Sequence, residues 1–296
     1  MLWVIKYRKI FYTVTILITG ASIVALAIFG LNLGIDFTGG TIWKVEFKNS
    51  APSVDTLNAA LLAEGVEPSV TQPVGDKGFI LRFRPLEESQ HQTALSALKT
   101  KFGDLNELEF SAIGPSIGKE LRDKAIYAVI LSILAVVIYI AWSFRKVEKV
   151  VSSWAYGIFT IAAMAHDIFL PLGVFAVLGK YLHYEITSVF VAAILTIAGY
   201  SITDTIVVFD RVRENLRRHT HDDFNELVGA SLKQTLARSI NTTLATVLVL
   251  LAIYFFGGES TKHFALALII GLVSGAYSSI FIASPLLVTW GMWRNK

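Results

Sequence analysis

The sequence predicts an α-helical polytopic membrane protein, with six transmembrane helices and one small α+β domain outside the membrane. Three observations predict it. The chain of 296 residues is 54% hydrophobic and 17% charged, with a mean hydropathy of +0.58, which is far too apolar for an ordinary soluble protein. Six runs, roughly 11–31, 125–144, 154–178, 186–209, 238–256 and 264–290, reach the ~20 predominantly apolar residues that cross a bilayer. Between the first two runs the polarity rises, and strand-like and helix-like periods alternate.

Basic residues set the orientation, because the Lys/Arg excess stays cytoplasmic. Lys6, Arg8 and Lys9 precede span 1, and Arg145, Lys146 and Lys149 link spans 2 and 3. Arg211, Arg213, Arg217, Arg218 and Lys233 lie between spans 4 and 5, and Arg294 and Lys296 end the chain. The opposite short loops hold only Lys180 and Lys262. Both termini are therefore expected in the cytoplasm. Residues 1–31 form the N-terminus and first span, 32–123 an extracytoplasmic domain with flanking hinges, and 124–296 a five-span bundle with a cytoplasmic loop at 210–237.

The net charge of +3 reflects this anchoring and gives no reason to expect nucleic acid. With no cysteine, thiolate catalysis, disulfides and Cys-ligated metals are excluded. Span 1 has the basic leader of a signal peptide, but its apolar core exceeds the roughly 7–15 residues of a cleaved one, so it reads as a retained anchor.

After span 1 the paired Gly39 and Gly40 in Gly34-Ile35-Asp36-Phe37-Thr38-Gly39-Gly40-Thr41 permit a sharp turn out of the membrane. Asp36 either closes that turn by bonding nearby N–H groups or belongs to a hinge. The outer segment then reads as strand Thr41–Lys48, helix Ser53–Ala63, strands Pro68–Gln72 and Gly78–Phe83, helix Glu87–Phe102 and strand Glu107–Ile113. This β-α-β-β-α-β order is that of the ferredoxin-like split unit. His91 is the lone histidine of the segment and reads as a solvated helix residue. No metal spacing or nucleophilic triad is present, so neither an enzyme nor a cofactor is expected. Gly114-Pro115-Ser116-Ile117-Gly118 breaks regular structure before span 2 and suggests a second hinge.

Span 2 has no internal charge and either packs or faces lipid. Span 3 carries His166 and Asp167, which diverge by about 100° on a helix and are not expected to pair with each other. Asp167 either hydrogen-bonds a neighbouring helix or joins a polar pathway. In span 4, Tyr200, Ser201 and Asp204 share one face with Arg211 further along it, while Leu195, Ile202, Ile206 and Phe209 form the opposite, lipid-directed side. An ionised acid at mid-span costs at least ~2.5–3.5 kcal/mol, so Asp204 is a functional suspect. Span 5 has an apolar run, Leu244–Phe256, too short to cross, so its membrane portion must start near Ala237 and draw in Arg238, Asn241 and Thr242. Arg238 either snorkels to the interface or meets Asp204 at a common depth. In span 6, Gly271 and Gly275 with Ser279 make a small-residue stripe of the kind that lets helices pack closely.

Four blocks together are distinctive. Gly34–Gly40, Gly114–Leu121, the run Gly199-Tyr200-Ser201-Ile202-Thr203-Asp204-Thr205 continued by Val207-Val208-Phe209-Asp210-Arg211, and Gln234-Thr235-Leu236-Ala237-Arg238-Ser239 resemble, in order and in topology, the signature blocks of the SecF branch of the SecD/SecF family of protein-export membrane proteins. The resemblance covers nearly the whole chain and implies a membrane fold of RND type in the bacterial inner membrane. It further implies SecD, the SecYEG channel and a translocating preprotein as partners, and the proton motive force as the energy source. Carried onto this sequence, it places the family's membrane Asp and Arg on Asp204 and Arg238. Position 203, commonly Asn, is Thr203, and Lys233 stands where Asn often precedes Gln-Thr-Leu.

The resulting expectation is proton translocation at Asp204 and Arg238, with Tyr200, Ser201, Thr242 and Asp167 as polar relays. Asp36, Gly39, Gly40, Gly114 and Gly118 would be the hinge positions, and no metal site is expected. Two other readings compete. One is a proton-coupled exporter of lipids or small molecules, and the other an intramembrane aspartyl protease using Asp167 and Asp204, which lacks a Gly-x-Gly-Asp arrangement.

Overall fold

The computed structural model describes residues 1–143, 153–218 and 223–294. Arg145, Lys146, Lys149 and Lys296, used above for orientation, lie outside the described residues. The chain runs α1 (Leu2–Lys6), α2 (Arg8–Phe29), α3 (Ile35–Thr38), β1 (Gly40–Phe47), α4 (Val54–Ala63), β2 (Val70–Val74), β3 (Gly78–Phe83), α5 (Glu88–Phe102), β4 (Leu105–Ile113), α6 (Pro115–Ser143), α7 (Ser153–Leu182), α8 (Ser188–Arg217), α9 (Phe224–Phe256) and α10 (Glu259–Ser278). A single π-helical turn, Ser279–Ala283, then leads into α11 (Ser284–Arg294). Two compact units result, one of residues 1–32 with 127–296, the other of residues 33–126.

In the first unit, six helical stretches are long and apolar enough to cross a membrane, as the hydropathy predicts. The windows of α2 and α6 are the least buried, while α7, α8 and the last span form the interior. Two expectations are corrected. Most of the predicted loop 210–237 is helix, because α8 continues to Arg217 and α9 begins at Phe224. The cause is local: Asp210–Arg213, Arg211–Glu214 and Glu214–Arg218 pair along α8 at three- and four-residue spacing, and the Asp223 carboxylate accepts from Asn225 N (3.1 Å) to cap α9. The supposed lipid face of α8 is also interior. Ile202 and Phe209 are buried against Tyr156, Met164 and Leu287, and the exposed edge carries Thr196, Gly199 and Thr203 instead.

The second unit has the ferredoxin-like arrangement. Its four strands lie in the order β2-β3-β1-β4, every neighbouring pair antiparallel. Alternation places Trp43, Val45 and Phe47 of β1 and Phe79, Leu81 and Phe83 of β3 in one core with Leu57, Leu61, Ala94 and Leu98 of the helices. The opposite face keeps a cross-strand ion pair, Lys44–Glu109 (2.7 Å).

His91 is corrected from solvated to buried. It shares its helix face with Ala94 and Leu98, three and seven residues on, a spacing that points to the core. A β-bulge beside Lys44/Val45 leaves Leu108 without a partner on β1, so Glu107 and Phe110 both turn inward. His91 Nε2 lies 2.6 Å from Glu107 Oε2, and Trp43 Nε1 donates to the same oxygen at 2.8 Å. The imidazole stacks on Phe110 with centroids 3.7 Å apart. His91→Ala should therefore leave Glu107 short of a partner and open a cavity, costing about 2–4 kcal/mol. Hydrogen exchange on the full chain should show the β1 and β4 amides losing protection while the spans keep theirs.

Candidate functional site

The polar groups of the bundle fall into two linked sets, one around Asp204 and one around Asp167. Asp204 sits mid-way along α8, whose first turn is capped by the Thr187 hydroxyl. It is half-buried, and both of its carboxylate oxygens lie 2.7 Å from Ser239 Oγ on α9. Ser239 follows Arg238 directly. Arg238 is exposed and makes no ion pair with Asp204 among the described residues. The spacing argument thus brings α8 and α9 together at the right depth, but the hydroxyl next to the arginine makes the contact.

The other expected relay residues separate. Tyr200 OH reaches Thr246 Oγ1 on α9 (3.4 Å). The Thr242 hydroxyl donates to the Arg238 carbonyl one turn back along its own helix. Ser201, 100° round α8 from Tyr200, bonds Asp167 instead. Nearer the helix ends, Asn215 Nδ2 donates to Ser231 Oγ (2.8 Å) and to Gln234 Oε1 (3.0 Å), and Arg211 Nε donates to that same Gln234 oxygen (2.5 Å). These contacts clamp α8 to α9 just beyond Asp204. Thr203 bonds the Gly199 carbonyl of its own helix (2.9 Å) and faces outward, so this departure from the family pattern leaves the Asp204 contact untouched.

Asp167, fully buried on α7, is the better-held carboxylate. Ser201 Oγ (2.6 Å) and Ser278 Oγ (2.6 Å) donate to its Oδ2, and Ser274 Oγ (2.7 Å) to its Oδ1. One side chain thereby ties α7 to α8 and α10. His166 points the other way, its Nδ1 2.6 Å from Thr19 Oγ1 on α2, as the divergence of adjacent helical residues requires. The small-residue stripe of span 6 makes this closeness possible. A Cβ on Gly271 would fall 2.3 Å from Ile197 Cδ1, and one on Gly275 would fall 3.5 Å from Ser201 Cα. The π-helical turn begins at Ser279, whose hydroxyl meets Thr205 Oγ1 (2.9 Å) one residue from Asp204. Such turns break the regular hydrogen-bond ladder and recur at functional sites.

The two glycine motifs meet within the outer unit. Gly39 has φ +70°, and a Cβ there would lie 2.9 Å from Pro115 Cα; a Cβ on Gly118 would lie 2.7 Å from Gly39 N. Asp36 lies in the first turn of α3 just before them, and Gly114 accepts the Gly118 N–H (3.0 Å) at the start of α6. The segments expected as two separate hinges are thus one joint, backbone against backbone. Gly39→Ala should cost about 2–5 kcal/mol, through a disfavoured backbone conformation and a clash with backbone that cannot yield. The expected readout is loss of exchange protection at 35–40 and 114–118 with α7 to α10 unaffected.

The serines Ser239, Ser274 and Ser278 escaped the sequence reading. Ser274 and Ser278 are four apart beside the small-residue stripe, each three residues after one of its glycines, a signal available in the sequence.

Comparison with known proteins identifies the family. The family model for the C-terminal part of the protein export membrane protein SecD/SecF matches residues 93–293, and the SecD/SecF GG motif matches residues 24–51, which include Gly39 and Gly40. The protein translocase subunit SecF of Thermobaculum terrenum is 42% identical, covering 98% of this chain and 94% of that protein. The protein of the same name from Haemophilus influenzae is 36% identical, covering 98% and 86%. The crystal structure of SecDF from Thermus thermophilus, described as a translocon-associated membrane protein, superimposes with a TM-score of 0.83 at 33% identity. The match takes in 99% of this chain and spans 38% of the length of that one.

Proposed function

Because the chain belongs to the SecD/SecF family of protein export membrane proteins, we propose that it uses the proton motive force to assist protein translocation, with Asp204 as the group that takes up and releases the proton. It acts in the bacterial inner membrane with both termini cytoplasmic, in complex with a SecD subunit beside the SecYEG channel. Its outer domain handles the emerging preprotein. It is not an enzyme and needs no cofactor beyond the coupling proton.

One observation carries the reading. Of the two carboxylates deep in the described spans, Asp167 is fully buried among three hydroxyls, whereas Asp204 is half-buried and bonded by Ser239, which stands next to an exposed arginine. A carboxylate that exchanges protons needs a path to water and an environment that can change, and the partial exposure of Asp204 supports it over the fully buried Asp167 in that role. The approach of a cation favours the charged form of a carboxylate, so moving Arg238 toward or away from Asp204 would release or load a proton. Each proton moving inward releases about 2.3 kcal/mol per 100 mV and about 1.4 kcal/mol per pH unit. A few protons suffice to shift helices α8 and α9 and to swing the outer domain about the joint at Asp36–Gly40 and Gly114–Gly118. The seal around Asp167 argues against a protease, which needs two acids sharing one water.

Affinity isolation of the full chain from native membranes in mild detergent tests the assignment. A SecD subunit and the channel should co-elute. Absence of both, together with proton flux stimulated by small molecules in vesicles holding this chain alone, would favour the exporter.

A further inference from the structure

At the end of the bundle where the chain enters span 1, α1 lies against the helix ends and leaves an open groove of about 480 Å³, lined by Trp3, Lys6, Tyr7, Arg8, Asn225 and Met292 among others. Its position is fixed from beneath. Val4 and Ile5 are buried among Val212, Leu227, Val228, Leu232 and Val288, and Arg8 Nη1 donates to the Ile5 carbonyl (3.0 Å), closing the end of α1. Trp3 is braced against Phe11 and Phe281, each with centroids 5.9 Å away. The upper side is unspent. Lys6 is exposed, with its Nζ 5.7 Å from the Tyr7 ring, and Arg8 Nη2 reaches the Met292 sulfur at 3.3 Å.

Charge identifies the occupant. No carboxylate lines the groove. Arg211, Arg213 and Arg218 at the same end are all engaged by acids of α8, whereas Lys6 and Arg8 form no ion pair among the described residues. The nearby Asp223 carboxylate is turned to Asn225 as the cap of α9. Half-exposed Trp3, Tyr7 and Met292, with Leu2 and Ile10, make an apolar and aromatic border of the kind that settles at the headgroup level of a bilayer. Two cations without an ion pair among the described residues, inside such a border, suit a phosphate that brings acyl chains with it. We propose that this groove is a binding site for an anionic phospholipid, its phosphate held by Lys6 and Arg8 and its glycerol end against Trp3 and Tyr7. The site is independent of the proton pathway and stands even if Asp204 has another role.

The test uses the full chain, purified in neutral detergent and titrated with phosphatidylglycerol or phosphatidylcholine, with bound lipid counted by native mass spectrometry. The wild type should retain phosphatidylglycerol in preference to phosphatidylcholine. Lys6→Gln with Arg8→Gln should weaken that retention about thirty-fold, the effect of two interfacial cations. Arg217→Gln with Arg218→Gln, an equal loss of charge at the same end, should leave it within about two-fold. Because Arg8 also closes α1, Lys6→Gln alone and Arg8→Lys serve as folding-neutral variants. The first should lose part of the retention and the second keep it. Equal loss in both double variants, no loss in Lys6→Gln, or displacement of the lipid by millimolar glycerol phosphate would overturn the proposal.

Discussion

Asp204→Asn is expected to reduce protein export to the level seen without a proton gradient, while the chain still folds and still co-isolates with its partner subunit. The substitution keeps the shape of the side chain and its contact with Ser239, so packing between α8 and α9 should change by less than about 1 kcal/mol. It removes only the ability to carry a charge. Export into inverted membrane vesicles, compared with and without an ionophore, gives the readout. The wild type should slow when the gradient is collapsed and the variant should not respond. Arg238→Gln should resemble it in export but not in cause, because Asp204 would keep its proton without a cation to draw it off. Arg238→Lys should recover part of the gradient response, since it keeps the charge and the two side chains form no bidentate pair that a lysine would lose.

Asp167→Ala should fail for a different reason, by loosening the bundle. Three serine hydroxyls from α8 and α10 lose their acceptor in a dry interior. At about 0.6–1.7 kcal/mol per interhelical bond, plus the cavity left behind, the expected loss is about 2–5 kcal/mol. Asp167→Asn should lose much less, about 1 kcal/mol, because the amide oxygen still accepts and hydroxyls can rotate to receive the amide N–H. Unfolding of the purified chain in rising sodium dodecyl sulfate should rank the three proteins in that order. The export response to the gradient should survive in Asp167→Asn. Its disappearance from a chain of normal stability would return Asp167 to the proton path.

Much of this was legible in the residues. Six apolar runs are long enough to need no tertiary context, and the alternation of strand and helix periods between residues 40 and 113 is clear enough to give the ferredoxin-like order. Asp204 announced itself because an acid inside a span is expensive. Tertiary partners were harder to read. Ser201 lies on the wheel within reach of two carboxylates, and nothing local decides that it serves Asp167. His91 looked solvated because its helix is polar overall, and the decisive element, the bulge that turns Glu107 inward, lies on a strand sixteen residues away. The loop expected at 210–237 is mostly helix. There the charges are spaced to pair along a helix that continues beyond the membrane. The two glycine motifs read as separate hinges because their meeting is a contact between residues more than seventy positions apart.

The central claim is that Asp204 changes protonation when the gradient is applied. Infrared difference spectroscopy of the reconstituted complex, acidified on the side of the outer domain alone, measures this directly. A carboxyl band should appear on acidification, be absent in Asp204→Asn and persist in Asp167→Asn. A band that survives in Asp204→Asn and vanishes in Asp167→Asn would contradict the account.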